Sequence, residues 1–227
     1  MSFHLHSVTE QAIPGGWSER EILLGEQSVH IVLPARPDEL LEQLEEATNS
    51  TQESDPYWAE LWSASLPMAK LVYEASWPSD ARAIELGCGI GVVGIAGLLA
   101  GLDVTLTDRV ELAVATAAEN ARRNGLADVK AFELDWADPP QQKFSYILAS
   151  DVLYDRELHV PFLQAVITLL EEGGECWIGD PGRSAASTFL ALDALKSFDV
   201  NLVDTDQRAA SAIKTGEFRL LQLKRLD

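Results

Sequence analysis

Four acids stand at or just beyond the ends of short apolar runs: Glu85 in AIEL, Asp108 in VTLTD, Asp135 after FEL and Asp151 after YILAS. Runs of this length are strand-like, and a helical pattern follows most of them. In open parallel sheets, ligands bind outside the carboxyl ends of the strands. A carboxylate there can accept ribose hydroxyls or the hydrogens of an amine. Between the first two acids lies a glycine-rich turn, Gly87-Cys88-Gly89-Ile90-Gly91. A backbone without Cβ lets a bound nucleoside come close.

Two nucleotide ligands fit these letters. Gly89, Gly91 and Gly94 satisfy G-x-G-x-x-G, with Asp108 placed as the ribose-binding acid of a dinucleotide site. A pyrophosphate, however, wants backbone N–H groups and no nearby carboxylate. Glu85 sits two residues before the first glycine. S-adenosylmethionine (SAM) has no phosphate and carries a sulfonium and an ammonium, so acids around the loop favour it. SAM is therefore the expected ligand over a nicotinamide cofactor, with an ordinary β-α turn as the third reading.

Other positions divide between ligand contact and plain structure. Asp108 either holds the ribose or caps the next helix. Asp135 and Trp136 offer an acceptor and an aromatic face to adenine. Ser150, Asp151 and Tyr154 end the fourth strand of the pattern, facing the methyl donor. Amine methylation needs a neutral nitrogen, and a lysine of pKa about 10.4 must first lose its proton. Asp151 and Tyr154 are the candidates to orient such an amine and exclude water. Trp62, in DPYWAELW, either closes over the cofactor or packs in a core. Asp180 and Arg183 either line the acceptor pocket or close a turn. Glu119, Arg122 and Arg123 read as a solvated helix face. His4 and His6 form an H-x-H at the chain end, and no metal site is expected.

The elements that must position these residues alternate. Strands are expected at 83–87, 103–108, 129–133, 144–150 and 174–180, with helices at 91–100, 110–124, 157–171 and 184–197. Two further strands, 199–205 and 217–224, lack a helix between them and should pair antiparallel. Residues 56–75 read as a helical pattern interrupted by Pro67. Upstream, REILL and SVHIVL flank Gly25-Glu26-Gln27 as a hairpin. Asp38 then caps a short acidic helix, and TNSTQESD (48–55) is a linker or flap. The expected organisation is an N-terminal extension, 1–55, and a catalytic domain, 56–227.

Composition narrows the partners. With 17 Lys and Arg against 36 Asp and Glu, the net charge is −19. A grip on phosphates needs clustered cations, so nucleic acid and anionic membranes are not expected. The acidity suits a basic protein partner or simply solubility. Two cysteines, Cys88 and Cys176, make no disulfide framework and imply a reducing compartment. The N-terminus lacks the basic and apolar regions of a signal peptide, and the apolar run at the glycine loop is short for a bilayer. The expected location is the cytoplasm.

In this order and spacing, the hairpin, PYWAELWSAS, ELGCGIGVVGI, the acid at Asp108, the Asp135-Trp136 pair and DVLY resemble methyltransferase family 16. That branch of the class I, seven-strand SAM-dependent enzymes contains many protein-lysine methyltransferases, including those acting on chaperones, elongation factors and the electron-transfer flavoprotein β subunit. The resemblance runs from Ser18 to the C-terminus. It implies a doubly wound, mostly parallel α/β sheet of Rossmann-like type with an N-terminal hairpin and helix. It places SAM against Trp62, Gly87, Cys88, Gly89, Asp108, Trp136 and Ser150, and puts Asp151 and Tyr154 beside the target amine. Gly179–Arg183 (GDPGR) resembles the flavoprotein-directed bacterial branch, whereas ELWSAS departs from that branch's WPGG-like version. No N-P-P-Y follows the fourth strand, so adenine and glutamine amides are not expected acceptors. The function implied is methyl transfer to lysine ε-amino groups of a protein. A small-molecule N- or O-methyltransferase, and a SAM- or nicotinamide-binding module without transfer, remain the alternatives.

Overall fold

The computed structural model describes residues 8–40, 42 and 56–226. Strands β1 (Trp17–Leu24) and β2 (Gln27–Pro34) form an antiparallel hairpin with Leu24 opposite Gln27, so its loop is Gly25-Glu26. Helix α1 (Ser65–Glu74) leads into β3 (Arg82–Leu86), α2 (Val92–Leu99), β4 (Asp103–Asp108), α3 (Glu111–Arg123) and β5 (Lys130–Glu133). The second half runs β6 (Phe144–Ser150), α4 (His159–Leu169), β7 (Leu170–Asp180), α5 (Ser184–Phe189), β8 (Phe198–Val203) and β9 (Arg219–Arg225). Seven strands make one sheet in the order β5-β4-β3-β6-β7-β9-β8. All pairings are parallel except those of β9, which runs antiparallel to both neighbours.

The chain winds outward from β3 through β4 to β5, then returns to place β6 on the other side of β3. That reversal opens a crevice at the carboxyl ends of β3 and β6. Apolar packing covers both faces. On one face Leu71, Ile95 and Ala117 join the hairpin's Ile22, Val29 and Ile31. On the other, Phe162, Val166 and Phe189 pack on Ile84 and Ile147. Among the described residues, no helix is long and apolar enough to cross a membrane.

Three elements differ from the sequence reading. Pro67 does not interrupt a helix; it lies in the first turn of α1, where its missing N–H would have had no partner. The preceding Pro56–Ala59 forms a separate 3-10 turn. The stretch 184–197 is two pieces, because Leu192 turns extended and the chain resumes as a 3-10 turn over Asp193–Ser197. Strand β7 starts at Leu170, with its register against β6 shifting between Phe144 and Tyr146, so GluGluGlyGlyGlu is strand rather than loop. The 48–55 linker and the His4-x-His6 pair lie outside the described residues.

The α3 face also differs. Glu119 is buried, accepting hydrogen bonds from Arg122 and Arg123, and Arg123 also reaches Glu19 of the hairpin at 2.7 Å. Burial opposes ionisation, yet these guanidinium forks hold the Glu119 carboxyl below its usual range. Beside it, Asn120 is fully buried. Its amide oxygen accepts the Val32 N–H at 2.7 Å, and its nitrogen donates to the carbonyls of Val32 and Ile90, both at 2.9 Å. Asn124 repeats the fork on His30. This face is therefore the dock of the hairpin, not a solvated surface.

Candidate active site

The glycine loop leaves β3 and enters α2, and two acids hold it. Glu85 Oε2 accepts the Gly94 N–H at 2.9 Å, tying the strand tip to the first turn of α2. There is no room at Gly94 for a side chain: a Cβ would lie 2.4 Å from that oxygen and 2.2 Å from Leu106 Cδ2. Burial pushes the Glu85 carboxyl up to about 8, the Gly94 N–H opposing and the nearby Asp108 charge adding to the rise. Asp108, at the tip of β4, accepts the Gly89 N–H at 2.9 Å and the Val110 N–H at 3.1 Å. Burial, with the charges of Asp108 and Glu85, raises the Cys88 thiol well above its usual value, so it stays neutral.

A cavity of about 210 Å³ opens at this crevice. Glu85, Gly87, Cys88, Gly89 and Asp108 line it from β3, the glycine loop and β4, Asp135 and Trp136 from beyond β5, Ser150, Asp151 and Tyr154 from the end of β6, and Trp62 from the segment before α1. Gly91 lies outside, packed on Ala117 of α3. Trp136 is braced edge-to-face on Phe162, with ring centroids 5.0 Å apart, and crosses near Gly87, where a Cβ would come within 3.3 Å of its ring. Asp135 is exposed, and one oxygen accepts the Ala137 N–H at 2.9 Å.

The 3-10 turn Pro56–Ala59 supplies residues the sequence reading did not assign. Trp58 is buried, and its carbonyl sits where a Gly89 Cβ would come within 3.0 Å, so the turn rests on the glycine loop. Tyr57, half exposed, meets Tyr154 edge-on at 5.5 Å and Trp62 at 5.9 Å. Its carbonyl accepts the Trp62 indole N–H at 2.6 Å. Three aromatic rings from two distant segments thus rim one side of the cavity. The aromatic density of DPYWAELW was the available signal.

Asp151 is the most constrained residue at the site. It takes φ 60°, a left-handed conformation a non-glycine residue adopts only at a cost, and its N–H donates to the Gly179 carbonyl at 2.8 Å. Its carboxylate is split. Oδ1 accepts from Arg183 Nε at 2.5 Å, while Oδ2 is buried without a hydrogen-bond partner among the described residues. The neighbouring Ser150 Oγ is in the same condition. Arg183 also lies over the Trp62 ring, 5.8 Å from its centroid. Asp180 is fully buried and accepts the N–H groups of Gly182 and Arg183, both at 2.7 Å; it closes the turn and does not line the cavity. Burial raises its carboxyl despite those two N–H groups. Among the described residues no cluster of His, Cys, Asp and Glu is arranged to hold a metal ion.

Comparison with known proteins gives the family and the fold. The chain is 29% identical over 133 residues to the electron transfer flavoprotein beta subunit lysine methyltransferase of Danio rerio, covering 57% of this chain and 52% of that one. It is 37% identical over 92 residues to protein N-lysine methyltransferase METTL21A of Danio rerio, covering 37% and 42%. The chain thus spans about half the length of these curated relatives. A TehB-like SAM-dependent methyltransferase of Corynebacterium glutamicum superposes with a TM-score of 0.54 at 18% identity, covering 81% of this chain and 93% of the other, which shows a shared fold. The lysine methyltransferase family matches residues 45–192, most of the chain and all of the cavity's sheet edge, and the protein belongs to that family.

Proposed function

We propose that the protein transfers a methyl group from SAM to lysine ε-amino groups of a protein substrate. The cofactor of this fold and family is SAM, and the residues present suit it. Bound there, SAM supplies an electrophilic methyl group on a sulfonium. Glu60, Glu85, Asp108, Asp135 and Asp151 line the cavity with one cation, Arg109, and Asp108 at the tip of β4 is the residue we assign to the ribose hydroxyls. Trp136 would offer an aromatic face and Asp135 an acceptor for adenine, and Trp62, which lines the same cavity, would close over the cofactor.

The observation that carries the reading is a pair of buried, unpartnered oxygens, Ser150 Oγ and Asp151 Oδ2, in two residues that line the cavity with Tyr154. Buried polar atoms in folded proteins nearly always have partners, so these two await a ligand's donors. An amine N–H is the natural donor for Asp151 Oδ2. The rings of Tyr57, Trp62 and Tyr154 would sheathe the aliphatic stem that carries it and keep water out. Much of the rate would then come from positioning. The chain's strong negative charge favours a basic, lysine-presenting protein partner over nucleic acid. Two free, buried thiols suit the cytoplasm.

The test is transfer of label from methyl-labelled SAM into a native lysate, separated into protein and small-molecule fractions. Label in discrete protein bands supports the reading. Label confined to small molecules would assign the protein to metabolite methylation.

A further inference from the structure

The Asp151–Arg183 pair joins two strand ends that the sequence keeps 32 positions apart. Arg183 does not line the cavity, yet its guanidinium is held on two sides: by Asp151 Oδ1 at 2.5 Å and by the Trp62 ring at 5.8 Å. The turn that carries it is fixed from behind. Asp180 gathers the N–H groups of Gly182 and Arg183, and Gly182 abuts the Lys214 carbonyl so closely that a Cβ would sit 2.1 Å from it. Asp151 meanwhile keeps a left-handed backbone, φ 60°. A carboxylate free to rotate could offer either oxygen to an amine. This one cannot, because Arg183 holds Oδ1 and leaves Oδ2 as the one buried, unpartnered carboxylate oxygen of a residue that lines the cavity.

We propose that Arg183 is the positioning residue of the acceptor site: it fixes Asp151 in one rotamer and presents a single oxygen, Oδ2, to the incoming amine. The proposal rests on the methyl-transfer reading above. It also gives the site a charge logic. Paired with Arg183, Asp151 is no longer an isolated carboxylate that would hold a lysine as its ammonium, and the neutral amine required for attack meets a hydrogen-bond acceptor instead. Arg183 touches no reacting atom; it acts through Asp151 and through the Trp62 wall.

The test uses the full chain as wild type, Arg183→Ala, Arg183→Lys, Asp151→Asn, and Arg183→Ala combined with Asp151→Asn. The probes are methyl-labelled SAM with native lysate proteins, SAM affinity by calorimetry, and urea denaturation. Arg183→Ala should slow labelling at saturating SAM by roughly 100-fold, the scale of a small misplacement at a reacting centre. Its SAM affinity should stay within about twofold, because the loss falls on transfer and not on uniform binding. Arg183→Lys should recover part of the rate, which repair of a merely structural defect far from Asp151 would not predict. The urea midpoints of the two single variants and the double should be non-additive. Additive midpoints, or an Arg183→Ala chain that labels at the wild-type rate, would overturn the proposal. A wild type that binds SAM but labels no protein would overturn the proposed function instead, and the urea cycle would still decide whether Arg183 holds Asp151.

Discussion

Glu85 Oε2 and the Gly94 N–H, 2.9 Å apart, bolt the tip of β3 to the helix that follows the glycine loop. The same acid that argued against a pyrophosphate in the sequence is thus also a structural tie. Its burial has a measurable consequence.

The Glu85 carboxyl is raised from its usual 4.5 to about 8. Between those values the folded chain retains a proton that the unfolded chain has lost. The contribution to stability is therefore fully present below about pH 4.5 and is lost as pH rises towards 8. Glu85→Gln keeps an oxygen for Gly94 without the titration. Its melting temperature should gain on the wild type steadily between about pH 5 and pH 8. Parallel melting curves across that range would remove Glu85 as the source.

Asp108 has a double assignment, bracing the loop through Gly89 and facing the cavity. Asp108→Asn should weaken SAM binding by about 1.5–3 kcal/mol, the worth of charge-assisted hydrogen bonds. Calorimetry reads this directly, and unchanged affinity would leave Asp108 with the loop alone.

Asn120 links β2 to the glycine loop through three hydrogen bonds. Asn120→Ala strands the Val32 N–H and carbonyl and the Ile90 carbonyl in a buried seam. A loss of at least about 2 kcal/mol is expected in urea denaturation, with faster hydrogen exchange in β2. A loss under about 0.5 kcal/mol, ordinary for a surface change, would mean that the hairpin docks by apolar contacts alone.

The sheet was legible because β3, β4 and β6 are short apolar runs with glycine or an acid at or just beyond their ends. β4 and β6 have the expected limits, 103–108 and 144–150. Where the reading missed, local and tertiary signals disagreed. GluGluGlyGlyGlu has turn composition, but pairing on both sides of it, of Leu170 with Phe144 and of Glu175 with Tyr146 and Lys224, carries it as an irregular stretch of β7 where the register shifts. The cofactor side of the site was legible because loop chemistry is local: glycines, acids and a tryptophan within a few residues of strand ends. Asp151 and Tyr154, which line the same cavity, were singled out for the same reason. The role of Arg183 was not, since turn closure and side-chain reach look alike in GDPGR. Nor was Asn120, which sits in an alanine-rich helix and shows its purpose only when the hairpin is placed against it. A buried polar residue in mid-helix is the one hint the sequence held.

We propose that one crevice binds SAM and that Asp151 directs the transfer made there. Asp151→Asn, with the wild type beside it, tests this most directly by two readings on one sample: SAM affinity by calorimetry and methyl label incorporated into lysate proteins. Affinity should stay within about twofold of the wild type and label should fall by roughly 100-fold or more, as for a group that acts in the transition state rather than in cofactor binding. Full labelling by Asp151→Asn would contradict it.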